Sequence, residues 1–202
     1  MSLTLEEGRT LVGLARTALD RFVTKGSFER KLWTSGYLAE KRGVFSTLNL
    51  LESGEKKLRG CIGFPYPVRS LGEAVQEATI AAASEDPRFP PVRAEELEGI
   101  LVEVSVLTIP EVLSPSSRLQ LPRIVRVGKD GLIVSEGLRS GLLLPQVATE
   151  YEMDSEEFLS QTCMKAGLLP DSWLDPKTSV QRFQAEIFAE AEPRGEVKRL
   201  ST

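Results

Sequence analysis

The chain has 202 residues, 41% hydrophobic and 27% charged, with a formal net charge of −4, a pI near 5.2 and no histidine. That length suits one domain, or one domain with an added lobe, and is enough to bury a core without staples. The acidic balance counts against broad nucleic-acid binding, no apolar run reaches bilayer length, and the missing histidine removes His-dependent nucleophiles and the commonest zinc and iron ligand.

The start, "MSLTLEEGRT", carries acids where a secretion signal would be basic and then apolar, so a cytoplasmic protein is expected. Thr4 and Glu7 have capping-box spacing, and Leu11, Ala15, Ala18 and Phe22 recur on one face, predicting a helix over "TLEEGRTLVGLARTALDRFVT". "GVFSTLNL" from Gly43 and "KLRGCIGF" read as strands around the turn "ESGEKK", an antiparallel hairpin pairing 43–50 with 57–64. "SLGEAVQEATIAAASED" is a second helix, with Ser70 and Glu73 at capping-box spacing and a stripe of Leu71, Ala74, Val75 and Ala78; "PRFPP" ends it.

"ILVEVSVL", from Ile100, alternates as a strand, and "LSPSSRLQLP" is a candidate lobe boundary. "RIVRVGKDGLIVSEG" reads as two strands around a Gly-Lys-Asp-Gly turn. "DSEEFLSQTCMKAGL" predicts a helix capped by Asp154, with Cys163 four residues after Leu159 on its buried face, and "VQRFQAEIFAE" a last strand. Hairpin strands with irregularly placed helices define an α+β fold with antiparallel sheets rather than a doubly wound parallel one.

The chemistry gathers at "LRGCIG", Leu58 to Gly63. In a regular strand Leu58, Gly60 and Ile62 share the core face, and Arg59 and Cys61 point together to the other, about 6.6 Å apart at ~3.3 Å per residue. Arg59, with Lys56 and Lys57 upstream, would then favour the thiolate and lower the thiol pKa. Gly60 and Gly63 allow close approach by a ligand or by another backbone, or mark a bulge. Equally, a free cysteine commonly packs as a small hydrophobe. Cys61 and Cys163, as reduced thiols, make neither a disulfide framework nor a closed zinc site, and no metal is expected. Acid–base work would fall to groups such as Glu103, a carboxylate on a half-apolar strand face, or Asp86, which with Glu85 and Arg88 stands at a helix end where acids oppose the macrodipole.

"LRGCIG", "DPRFPPV", "VEVSVL", "VGKDGL" and "GLLLPQV", in this order, resemble the AMMECR domain family, named for a chromosomal region linked to Alport syndrome, midface hypoplasia, intellectual disability and elliptocytosis. The resemblance covers nearly the whole chain as one domain and is of the free-standing prokaryotic type. It implies two unequal lobes with a cleft, supplies no established reaction or cofactor, and, by family analogy, suggests Memo-like and radical-SAM proteins as partners. With it, Cys61, Glu103 and Asp86 are the catalytic candidates, and Arg59, Gly60, Gly63, Arg88 and Gln146 the ligand-binding ones. Two functions stay open. One is an enzyme acting on a small anionic molecule held by Arg59 beside Cys61; the other is a non-catalytic adaptor for a protein or nucleic-acid partner.

Overall fold

In the computed structural model, which describes residues 2–28 and 31–200, the elements run α1 (Leu5–Lys25), β1 (Val44–Glu52), β2 (Glu55–Phe64), α2 (Leu71–Ser84), β3 (Ile100–Leu107), β4 (Glu111–Val112), α3 (Leu121–Ile124), β5 (Gly131–Glu136), β6 (Arg139–Leu143), α4 (Pro145–Glu150), α5 (Ser155–Lys165), β7 (Ser179–Phe183), β8 (Ala185–Glu190) and β9 (Val197–Leu200). The fold is α+β, with two antiparallel sheets in strand orders β2-β1-β3-β8-β9 and β4-β7-β5-β6. Two units result. One holds the chain up to Thr108 and from Glu186 onward; the other is Ile109–Ala185.

In the first unit, α1 begins with the expected capping box. Thr4 Oγ1 accepts the Glu7 amide at 3.2 Å, and the Glu7 carboxylate accepts the Thr4 amide at 2.7 Å. It stops at Gly26, whose φ of 67° is left-handed. Leu11, Val12, Ala15 and Leu19 are buried against β3 and α2 residues. Arg16 joins this face to the sheet: its buried guanidinium meets Glu190 and donates to Ile100 O at 2.6 Å, while Glu190 accepts the Val102 amide at 2.9 Å. A buried pair with backbone partners on both sides leaves few donors unmatched.

α2 differs from expectation at its cap. Ser70 Oγ donates to the Glu73 carboxylate and caps no backbone amide. Its buried face holds Leu71 and Val75 together with the small side chains of Ala74, Ala78, Ala81 and Ala82. These let the helix lie so near β2 that a Cβ at Gly60 would fall well inside contact distance of the Ala82 carbonyl oxygen. Thr79 on α2 also bonds the Ser46 hydroxyl of β1 at 2.9 Å.

In the second unit, α5 carries an Asp154–Glu157 capping box and buries Phe158, Leu159 and Cys163 against Leu132, Val134, Trp173 and Val180. Cys163 is fully buried beside Leu159, as the four-residue spacing predicts. The Gly-Lys-Asp-Gly segment is not a hairpin turn. The residues before it form the short helix α3, and β5 instead pairs with β6, Glu136 opposite Arg139. Asp130 sets this loop: buried, it accepts the Arg126 amide at 3.0 Å and Gln184 Nε2 at 2.7 Å. "VQRFQAEIFAE" is likewise two strands, β7 in one sheet and β8 in the other, parting at Gln184. "LSPSSRLQLP" lies inside the second unit rather than at its edge.

The contact at Gly60 has a measurable consequence. Gly60→Ala should cost on the order of 1–3 kcal/mol, the range for overpacking. Gly13→Ala, on α1 with open space around the new methyl, should stabilise by about 0.5–1 kcal/mol. Urea unfolding of both variants tests this; a Gly60→Ala protein as stable as wild type would show that the helix–strand distance is not fixed there.

Candidate functional site

The site is built on β2, an edge strand paired antiparallel with β1. Glu52 faces Glu55 and Asn49 faces Leu58, but Leu48 faces Gly60, which leaves Arg59 unpaired as a β-bulge. The extra residue changes which way every later side chain points. Val44 and Leu48 are fully buried in the core with α1 and α2, so Phe45, Thr47 and Asn49 lie on the opposite face. Leu58, opposite Asn49, and Cys61, opposite Thr47, share that outer face. The expectation that Leu58 is a core residue is therefore corrected; it is 40% exposed.

Arg59 does not stand beside the thiol as a free cation. Its guanidinium is buried and grips the Glu96 carboxylate at both oxygens (Nε 2.6 Å, Nη2 3.1 Å), with Pro90 O at 2.8 Å and Pro91 O at 3.3 Å as further acceptors. Its charge is neutralised by Glu96, so the anion-holding role expected of it has no geometric support. Gly60 admits the α2 backbone, and Gly63 admits the ring of Phe45, which a Cβ would strike. Both glycines serve packing.

On the outer face three polar side chains form a row across adjacent strands. Cys61 on β2 is opposite Thr47 on β1, and Thr47 is opposite Glu103 on β3. Thr47 donates its hydroxyl to Cys61 Sγ at 3.2 Å. Two strand spacings of ~4.8 Å put the backbones of Cys61 and Glu103 about 10 Å apart, the span of a small molecule.

The Cys61 amide points out of the sheet edge and donates to Asp86 Oδ2 at 2.8 Å. Asp86 also accepts from Arg88 three times: its amide at 3.1 Å, Nε at 3.0 Å and Nη2 at 2.7 Å. These bonds, Arg88's foremost, hold the Asp86 carboxyl far below the usual range, a fixed anion. Such a group suits positioning, not the proton transfer the sequence suggests for it. Arg88 keeps 55% of its side chain exposed and sits 5.4 Å from the Phe89 ring.

Burial raises the Cys61 thiol above its ordinary value; the Thr47 bond and Arg88 oppose this, while Glu103 and Asp86 add to it. Burial also raises Glu103, with Lys56 opposing. The expected thiolate stabilisation is thus reversed in sign, since desolvation outweighs the cations.

Cys61, Glu103, Asp86 and Arg88 belong to the first unit, as do Arg59, Gly60 and Gly63, whereas Gln146 is an exposed residue of α4 in the second. Thr47 and Glu96 were not singled out by sequence. Thr47 is recoverable from hairpin register only once the bulge is known. Among the described residues no cluster of three or more His, Cys, Asp or Glu is placed to hold a metal ion, and no helix is long and apolar enough to cross a membrane.

Residues 12–188 match the AMMECR1 family model. A protein from Thermococcus gammatolerans is 56% identical over 198 residues, covering 96% of this chain and 95% of its own length. Protein MJ0810 of Methanocaldococcus jannaschii is 47% identical, with 96% of both chains covered. The crystal structure of the uncharacterised protein PH0010 from Pyrococcus horikoshii superposes with a TM-score of 0.79 at 50% identity, over 98% of each chain. The chain belongs to the AMMECR1 family.

In a Cys163→Ala background, the rate of Cys61 alkylation by iodoacetamide should rise with a midpoint above the ~8.5 of a free thiol. Thr47→Val and Arg88→Ala should each move it higher, because each removes a group that favours the thiolate; Glu103→Gln should move it lower. A midpoint below the free-thiol value would contradict the burial argument.

Proposed function

We propose that this AMMECR1-family protein binds a small anionic molecule on the sheet face carrying Cys61, Thr47 and Glu103, and acts on it by proton transfer. Arg88, not Arg59, is the cationic contact, because its guanidinium reaches solvent while that of Arg59 is enclosed by Glu96 and two carbonyls. The observation that carries this reading is the row itself: a thiol and a carboxyl, both pushed up by burial, at the two ends of a threonine-bridged line. A carboxyl raised by burial is better able to hold and release a proton near neutral pH, whereas the thiol, raised further above neutrality, stays protonated and serves as a contact. Glu103 is the acid–base group, Cys61 the thiol contact, and Asp86 the fixed anion that orients Arg88 and the Cys61 amide. Free Cys61 and Cys163 support a reducing cytoplasmic setting. A half-buried row of this size suits a small ligand better than a macromolecular face.

A thermal-shift and calorimetric panel of small carboxylates and phosphates tests the proposal, beside native mass spectrometry of the purified protein for retained ligand. At least one compound should stabilise the wild type, and Arg88→Ala should weaken it about 10-fold or more, the scale of a lost charge-assisted contact. Equal binding by Arg88→Ala, or no binding from the whole panel, would sink the reading.

The state of Glu103 can be read independently. With its folded pKa raised above the ordinary ~4.3, the folded state keeps a proton that the unfolded chain has released. Stability from this group is present below that value and is lost as pH rises through the folded one. Glu103→Gln should therefore be more stable than wild type at pH 7, with the gain shrinking at pH 4; urea unfolding at both pH values measures it.

A further inference from the structure

A pocket of about 660 Å³ lies in the first unit, lined by the last turns of α1 and α2. Three aromatic rings from separate stretches stand around it: Phe22 of α1, Phe28 just after that helix, and Phe64 at the end of β2. Ile80 of α2 adds a fourth apolar wall. All four side chains are half-buried. Phe64 packs on the core of the first unit, but neither core includes Phe22, Phe28 or Ile80. These three shape the pocket rather than fill the core, and together they offer apolar surface that a ligand would cover.

The charges around these walls are unbalanced. Arg69 is matched twice: its Nε meets the Glu77 carboxylate at 2.5 Å, and its guanidinium lies 4.3 Å from the centre of the Phe64 ring. Glu85 is an exposed carboxylate at the C-cap of α2, and its side chain has no partner among the described residues. The C-terminal ends of two helices, 21 and 14 residues long, border the same space. Each such end carries negative partial charge, which an acid beside it reinforces. Arg69 and Glu77 cancel, so one full and two partial negative charges remain at an aromatic pocket. An anion would be repelled there. A cation is what the carboxylate, the helix ends and the ring faces all favour. Arg69 on Phe64 is the same arrangement within the protein itself: a cation on a ring face, held by a carboxylate.

We propose that this pocket binds an organic ammonium ion with an apolar body, the charged nitrogen at Glu85 and the open ring faces, the apolar part against Phe22, Phe28 and Ile80. A weakly hydrated ammonium suits these walls better than a metal ion, which needs several oxygen ligands where the pocket offers mainly carbon. The volume is that of a small-molecule site. The inference goes beyond the Cys61 reading. Its ligand has the opposite charge, it shares no residue with that row, and α2 packs on the core face of the sheet, away from the row.

The test is a titration of the full-length protein with benzyltrimethylammonium at low ionic strength. It is followed by calorimetry and by the amide resonances of Gly26, Phe28 and Glu85, with benzyl alcohol as the neutral arm and phenylacetate as the anionic one. Saturable binding that shifts those three amides is expected, with benzyl alcohol about 3-fold weaker or more and phenylacetate about 10-fold weaker or more. Glu85→Gln should weaken the ammonium about 3-fold or more and Phe28→Ala about 5-fold or more, the charge and the ring respectively. If Phe28→Ala does not fold, Phe22→Leu takes its place. Cys61→Ser should bind the ammonium as wild type does, and Glu85→Gln should leave anion binding at the Cys61 face unchanged, which separates failure here from failure of the Cys61 proposal. No saturable shift at these amides up to tens of millimolar benzyltrimethylammonium overturns the proposal. So does unchanged affinity in either Glu85→Gln or the ring variant, or a neutral or anionic arm that binds as tightly as the ammonium.

Discussion

The bulge at Arg59 is the constraint from which the rest of the first unit's site follows. Counted from the Glu52–Glu55 pair at the turn, a hairpin without the bulge would set Cys61 opposite Ser46. Ser46 is fully buried and bonded to Thr79 of α2, so the thiol would point into the core. One extra residue moves Cys61 opposite Thr47 instead and turns it outward. The same residue sends Arg59 out of the ladder to Glu96, Pro90 and Pro91, which fastens the stretch after α2 along the edge of β2. That edge would otherwise present unpaired amides. Asp86, in the fastened stretch, takes the amide of Cys61.

The electrostatics follow from where each cation goes. Three positive residues precede Cys61 within five positions, and their number alone suggests a low-pKa thiol. Arg59 is matched by Glu96, Lys57 pairs with Glu52 at 2.8 Å, and Lys56 acts on Glu103. Among the cations only Arg88, from another segment, favours the thiolate, beside the Thr47 hydroxyl, and Arg88 is itself tied to Asp86. With its nearby charges paired, the thiol is governed by burial, which favours the neutral form.

Much of the fold was legible because its signals are local. Capping boxes at Thr4 and Asp154, the alternation of β3, the hairpin of β1 and β2, and the spacing of Cys163 from Leu159 each depend on residues a few positions apart. The misreadings come where tertiary context decides. The alternation of "VQRFQAEIFAE" is continuous in sequence, yet Gln184 bonds Asp130 and the strand changes sheet there. "RIVRV" carries β-branched residues but follows Pro122 at the start of a helical turn, and a buried Asp130 closes the loop. At the site, Cys61 and Glu103 were legible as residue types on strand faces, and Asp86 and Arg88 as charges at a helix end. Thr47 was not, because a bulge leaves no mark on local periodicity. Nor was Glu96, the partner that takes up the Arg59 guanidinium.

Taken residue by residue, "LRGCIG" is mainly a device for shape. Arg59 fastens the edge, Gly60 admits the helix backbone, Ile62 packs on the core, and Gly63 admits the Phe45 ring. Leu58 shares the outer face, where it supplies an apolar neighbour and no reactive group. One side chain of the six, Cys61, combines reactivity with partial exposure. A single thiol with a raised pKa is a weak nucleophile by itself. The proposed chemistry therefore draws on groups that the fold brings to the motif from elsewhere: Thr47 from β1, Glu103 from β3, and the Asp86–Arg88 pair from the stretch that Arg59 holds in place. On the proposed reading the motif marks the position of the site, and the strands beside it carry its chemistry.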